Sequence, residues 1–311
     1  MAVREHDSRQ SAQLALTRQL PPIIALATDA VSSPHTRRAY ARALYDFLAW
    51  VEQTRPAGLT KATVQAYVTH LKAEGAPASS LNQRLTAIRK LAFEAADNGL
   101  IDPAAAEAIA RVQGVRREGR RLGNWLTREQ AQELLRTPDA TTLKGLRDRA
   151  LLAVLLGCGL RRQEAAGLTM RHLQQREGRW VIVDLVGKRN KTRSTPMPAW
   201  AKAAMDEWTE AAGVEEGLVF RPLRRGGHVQ PGGMSAQAVF DVVRTAAAAA
   251  GLEVRPHDLR RTFAKLAHKG GAPIDQIQLS LGHSSVQTTE RYLGVDQDLT
   301  TAPCDVLGLR L

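Results

Sequence analysis

The sequence predicts a mainly α-helical protein of two domains, the second carrying a small antiparallel β-sheet. Three observations predict it. Apolar residues recur at helical spacing between residues 33 and 111. A stretch rich in glycine and arginine, VQGVRREGRRLGN at 112–124, then breaks the pattern. Beyond it, helical periods resume around one valine-rich run, RWVIVDLVG at 179–187, whose composition fits a strand.

Residues 1–32 show no sustained period and read as a flexible arm with at most one short helix. The first domain spans 33–111. Ser33-Pro34 opens a helix with Tyr40, Leu44, Phe47, Leu48 and Val51 at helical spacing. Thr60 caps a second, with Val64, Tyr67, Val68 and Leu71 inward and Gly75 as its stop. A third runs from about Ala78 to Asn98, burying Leu81, Leu85, Ile88 and Ala92 while Arg84, Arg89 and Lys90 lie on its other face. Asp102-Pro103 opens a fourth. In the linker, Arg116, Arg117, Arg120 and Arg121 stand against the single Glu118. It reads either as a strap lying along phosphates or as a plain solvated connection.

The second domain, 125–294, starts at a capping box of Thr127 and Gln130. Residues 146–156 read as a buried helix and 179–187 as a strand; GKRNK makes a turn, and TRSTPMP returns as an edge partner marked by proline. A third strand fits LVF at 218–220, and helices fit 199–213, 235–250, 257–270 and 273–282. A last short helix is capped by Ser284, with Gln287 as its box partner and Gly294 as its stop. On it Val286 and Leu293 share the inward face, and Tyr292 falls about 100° away from Leu293. Residues 295–311 form a tail.

A chain of 311 residues, 44% of them hydrophobic, can bury two cores. Its net charge of +12 points to a polyanionic partner, nucleic acid ahead of an acidic membrane surface. Only 5% of residues are aromatic, which suits the duplex backbone better than stacking on single-stranded bases. No apolar stretch approaches the ~20 residues of a spanning helix, and the N-terminus lacks a signal-peptide core, so the expected location is cytoplasmic. Cys158 and Cys304 make neither a disulfide framework nor a zinc site.

Several clusters can carry chemistry. His257 and Arg260 are helical neighbours beside a helix N-terminus, either a phosphate site or a solvated cationic face. Arg161 follows a glycine-bounded turn, with Glu164 placed to orient its guanidinium. Lys188 sits at a hairpin turn, where a long cation can reach a ligand. Tyr292 is either a half-buried tyrosine at a helix end or an exposed phenol that does chemistry. His257 and His283 lack a local third metal ligand, so neither metal nor cofactor is expected.

Arg161 in GLRRQE, Lys188 in the GK turn, His257 and Arg260 in HDLR, His283 in LGH and Tyr292 nine residues later resemble the tyrosine recombinase (phage integrase, Xer-like) family. The resemblance spans roughly 33–294 and takes in the helical first domain, which looks like the family's core-binding domain. Gln163 departs from the small or apolar residue the family often has there, which touches packing and not roles.

The resemblance implies a site-specific recombinase that clamps a double-stranded DNA recombination site. Tyr292 would form a 3′-phosphotyrosyl link, Arg161 and Arg260 would hold the phosphate with His283, Lys188 would protonate the leaving oxygen, and His257 would assist the phenol. No metal or nucleotide is needed. Strand exchange between two duplexes uses four active sites, implying a tetramer on DNA, with the apolar tail packing on a neighbour. About thirty residues precede the first domain, too few for an arm-binding domain, which leaves mobile-element integration or excision, or else replicon dimer resolution. A type IB topoisomerase-like enzyme and a non-catalytic DNA-binding regulator are the rival readings.

Overall fold

The computed structural model describes residues 22–116, 124–187 and 192–293. Two compact units divide the chain, Met1–Arg120 and Arg121–Leu311.

Capping chemistry sets the helix boundaries of the first unit. Helix α1 (Pro34–Thr54) starts where Ser33 accepts the Thr36 amide and proline fills the first turn. Thr60 caps α2 (Lys61–Ala73) in the same way, and Asp102 with Pro103 opens α4 (Pro103–Ala110). Between them α3 (Ala78–Asp97) is the central element, packed against the other three, with Leu85, Ile88, Leu91 and Ala92 buried along its inner face. Residues 22–29 are also helical, and Ile23, Ile24 and Ala27 enter this core. The packed unit thus begins before residue 33. A helix covering only residues 22–29, with its apolar residues in one continuous run, is too short to display a period.

In the second unit α5 (Arg128–Arg136) begins at the Thr127–Gln130 capping box. Helix α6 (Leu143–Gly157) is the spine, its residues from Ala150 to Leu155 almost wholly buried. After the short α7 (Arg162–Ala166) come β1 (Leu173–Arg176), β2 (Arg179–Val186) and β3 (Thr192–Pro196), an antiparallel sheet in that spatial order. Ile182 pairs with Leu173 on one side and Thr195 on the other, and the ladder is irregular between Ile182 and Leu185, where Asp184 adopts φ 55°. The chain then forms α8 (Ala199–Ala211), α9 (Ala236–Ala249), α10 (Pro256–Lys269), α11 (Ile274–Leu281) and α12 (Val286–Leu293).

Two sequence expectations are corrected here. The third strand is Leu173–Arg176, not 218–220; Leu218 makes only an isolated bridge to Thr169. Val219 and Phe220 are apolar because they plug the core, whereas β1 is a polar edge strand without alternation. Helix α12 starts at Val286, with the Thr288 amide on the Ser285 carbonyl, one residue later than a Ser284 cap implies. Its inward pair is Thr289 and Leu293, and Val286 stays 41% exposed.

Trp208 on α8 anchors this core, fully buried with its indole N–H donated to the Val219 carbonyl at 2.9 Å. Trp208→Phe keeps most of the apolar volume and orphans that acceptor. We expect a loss of roughly 1–3 kcal/mol, read from urea unfolding of the purified chain. A cost within error would show that Val219 finds another donor.

Candidate active site

The site grows from one buried carboxylate. Arg161 immediately precedes α7, and Glu164 in the first turn of that helix accepts both the Arg161 amide and its guanidinium, each at 2.7 Å. From β3, Arg193 forks onto the same two carboxylate oxygens at 2.6 and 2.8 Å. Its Nε donates to the Ser280 carbonyl at 2.8 Å. The side chains of Glu164 and Arg193 are 6% and 7% exposed. Burial alone would raise the Glu164 pKa, but the Arg193 fork, with the Arg161 amide and charge, outweighs it and holds the carboxyl at about 2.

Arg260 reaches the same place from α10. Its residue is 1% exposed, which corrects the view of His257 and Arg260 as a shared outward face; only His257 is exposed. Arg260 donates to the Gly159 carbonyl at 2.5 Å and to the Leu281 carbonyl. Arg161 donates to that same Leu281 carbonyl at 3.4 Å, so two guanidiniums from distant segments converge on one acceptor. Burial, then Arg161 and Arg193, lower the Arg260 pKa to about 9, which leaves it charged at neutrality.

Two glycines make this convergence possible. Gly159 has φ 61°, and a Cβ there would lie 2.7 Å from Phe263 Cδ1. Gly282, the glycine of LGH, ends α11 at φ 62°, and a Cβ there would lie 2.6 Å from Arg193 Cδ.

The aromatic groups complete the cluster. Tyr292 Oη lies 3.3 Å from His257 Nε2 and donates to the His257 carbonyl at 3.3 Å. His257 and His283 stand edge-on to the phenol ring, with centroids 5.5 and 5.3 Å away. His283 Nδ1 is hydrogen-bonded to the buried Thr289 hydroxyl at 3.0 Å. Burial, followed by the charge of Arg260, pushes the His283 pKa down to about 4. Burial and then Arg261 also lower that of His257. The Tyr292 pKa is raised by burial, against the opposing pull of Arg260 and Arg261. The phenol is therefore protonated at neutrality and faces a neutral imidazole, a pair fitted for proton transfer.

Arg193, Arg261 and Thr289 belong to this cluster although the sequence reading did not single them out. Arg261 lies 4.9 Å over the Tyr292 ring and bonds Asp258 at 3.2 Å and the Asn124 carbonyl at 3.4 Å. Strand alternation puts Arg193 on the face of the buried Thr195, but a threonine reads as polar, so the sequence carried no signal for it. Lys188 lies outside the described residues, as do Arg117, Arg120 and Arg121.

In the first unit Arg116 is exposed and Lys90 half-buried. Arg84 is tied to Asp46 at 2.9 Å and to the Tyr67 hydroxyl at 3.0 Å, and Arg89 donates to the Val112 carbonyl. That face is therefore partly neutralised. Exposed Arg38 and Arg42 on α1 line, with Ser80, Gln83 and Arg84 of α3, a groove of about 600 Å³. Among the described residues no three His, Cys, Asp or Glu side chains cluster as metal ligands, and no helix is long and apolar enough to cross a membrane.

Residues 124–298 match the Phage integrase family, and residues 24–99 match the Phage integrase N-terminal SAM-like domain. Tyrosine recombinase XerC of Myxococcus xanthus is 32% identical over 275 residues, covering 85% of this chain and 88% of that one. The XerC of Pelobacter propionicus is 33% identical over 281 residues, covering 88% and 89%. Among solved structures, XerH recombinase bound to palindromic difH in a post-cleavage complex superposes with a TM-score of 0.69 at 19% identity, covering 89% of this chain and 81% of that one. A lambda integrase dimer bound to a COC′ core site gives 0.66 at 17%, covering 90% and 78%. At those identities the structural likeness speaks for the two-domain, mainly helical fold. The sequence matches extend through both compact units and the whole cation–phenol cluster, and the chain belongs to the phage integrase family of tyrosine recombinases, enzymes of site-specific recombination on duplex DNA.

Proposed function

We propose that this recombinase cleaves and rejoins its DNA through a 3′-phosphotyrosyl intermediate on Tyr292. The observation that carries the reading is the phenol oxygen 3.3 Å from His257 Nε2, beside two guanidiniums that converge on one carbonyl. Tyr292 Oη attacks the scissile phosphorus while His257 takes its proton. The bond from phosphorus to the 5′ oxygen breaks, and Lys188 supplies the proton that makes a 5′-hydroxyl. Arg161, Arg260 and His283 hold the non-bridging oxygens, where negative charge grows in the transition state. A 5′-hydroxyl from another strand then attacks the phosphotyrosine and restores the backbone. The covalent link conserves the bond energy, so no nucleotide is consumed.

The groove lined by Arg38, Arg42, Ser80 and Gln83 supports DNA contact by the first unit, together with Lys90, Arg84 and Arg89 in part, and Arg116 supports a phosphate-tracking linker with Arg117, Arg120 and Arg121. Four protomers assemble on two duplexes, as strand exchange demands, and the apolar residues of the tail at 295–311, which lies outside the described residues, are the segment proposed to contact a neighbour. The enzyme works in the cytoplasm and serves integration or excision of a mobile element. Replicon dimer resolution uses identical chemistry and differs in where the target sites lie, which mapping the cleaved sites on genomic DNA distinguishes.

Three measurements check these assignments. Tyr292→Phe keeps the ring and its contacts, so duplex binding should persist while the covalent adduct on a nicked suicide substrate disappears. The wild-type adduct should form in excess chelator and map to Tyr292; an adduct surviving in the phenylalanine variant would overturn the mechanism. For the linker, replacing Arg116, Arg117, Arg120 and Arg121 with alanine should weaken binding to all duplexes alike and reduce the salt slope by roughly 0.9 per lost phosphate contact. An unchanged slope removes the linker from the interface.

Acid stability tests His283. Its pKa is 6.5 ordinarily and about 4 in the folded chain, so the unfolded chain binds more protons between those values. Stability is complete above the ordinary value and falls as pH drops toward the folded one. Thermal midpoints across that window should show the fall, and His283→Gln should flatten it.

A further inference from the structure

We propose that Arg193 is a positioning residue of this active site: it locks the carboxylate that aims Arg161 to the turn that delivers His283. The proposal rests on the recombinase reading of the cluster and adds a residue to it.

Every nitrogen of the Arg193 guanidinium is committed. Two fork onto Glu164, and Nε holds the Ser280 carbonyl three residues before His283. The first contact acts on Arg161, because the Glu164 oxygen nearest Arg193 also accepts the Arg161 guanidinium. The second acts on the LGH turn, whose Leu281 carbonyl receives both Arg161 and Arg260. The Arg193 stem also lies against Gly282 so closely that a Cβ there would collide with its Cδ at 2.6 Å. One side chain therefore spans β3, α7 and the end of α11.

Only arginine fits these demands. A carboxylate and a carbonyl approached from one planar fork require three coplanar donors, and a lysine ammonium has a different shape and shorter reach. The fork is also the leading favourable influence on the Glu164 charge, against the burial that disfavours it. Without Arg193, Glu164 keeps its burial and loses that influence. Its protonation then rises toward neutrality, and a protonated Glu164 releases Arg161.

The test follows covalent adduct formation at Tyr292 on a nicked suicide duplex, from mildly acidic to alkaline pH, in the full-length chain. Arg193→Lys keeps the charge and loses the fork. It should slow adduct formation by about 100-fold, the scale of a misplacement near 1 Å, with duplex affinity close to wild type and the thermal midpoint lowered but the chain still folded at the assay temperature. Arg193→Met should add an acid-side loss of rate beyond the wild-type profile. Combining it with Glu164→Gln, which cannot titrate, should remove that added limb while leaving the enzyme slow. If the methionine variant fails to fold, the lysine variant still decides.

A wild-type rate and profile in Arg193→Lys would overturn the proposal, as would a loss in Arg193→Met that is equal at all pH and matched by lost duplex affinity. The wild type run in parallel separates the two levels. No adduct there overturns the underlying reading, whereas a normal wild-type adduct with an indifferent Arg193 overturns only this inference.

Discussion

The active site depends on one buried anion. Glu164 is enclosed between Arg161 and Arg193, with Arg260 close behind, and without it three guanidiniums, two of them buried, would crowd together uncompensated. Removing one partner of such a cluster is strongly destabilising, by about 3–5 kcal/mol for a buried pair. Three guanidiniums against one carboxylate leave an excess of two positive charges. A phosphodiester brings one negative charge, and attack by an ionising phenol adds a second as the transition state forms. The cluster therefore stays cationic toward a phosphodiester, whose non-bridging oxygens gain negative charge as the transition state forms.

The phenol proposed as nucleophile is kept protonated by the same burial. Desolvation raises the Tyr292 pKa, and Arg260 and Arg261 oppose it without reversing the direction. The site therefore does not store a phenolate. It stores a phenol next to an imidazole whose own pKa is depressed, so in the proposed mechanism the proton moves only as the attack on phosphorus proceeds. Cys158, a better nucleophile in principle, is excluded by the same physics: it is fully buried and its pKa is pushed up to about 12.

What the sequence shows and what it conceals follow from the range of the forces involved. Helix caps are local, so Ser33, Thr60, Asp102 and the Thr127–Gln130 box could be read directly and the structure repeats them. The pairing of Arg161 with Glu164 is also local, three residues apart on a helix start. Arg193 meets Glu164 across 29 residues and Ser280 across 87, and no periodicity encodes such a meeting. Strand β1 was missed because LQQR, half-buried at its start and exposed at its end, carries no alternation. Val219 and Phe220 misled because a buried plug and a buried strand have the same apolar composition. The inward place of Thr289 was hidden for a related reason: a threonine reads as polar, and only its bond to His283 makes burial favourable.

The backbone has a part in the chemistry that side-chain motifs do not display. Arg260 rests on the carbonyls of Gly159 and Leu281, and Arg161 rests on Leu281 as well. These acceptors are neutral, so they orient the guanidiniums without cancelling their charge. A phosphate oxygen is anionic, and its bond to a guanidinium is about twice as strong as a neutral one. Substrate can therefore compete for donors that are already aimed, with little reorganisation at the moment of reaction. That arrangement requires a carbonyl to approach a buried arginine closely at both turns. Only glycine permits it there, since residues 159 and 282 each combine a left-handed backbone with a neighbouring side chain lying where a Cβ would be. The glycines flanking these arginines are thus as much a part of the proposed phosphate site as the guanidiniums they admit.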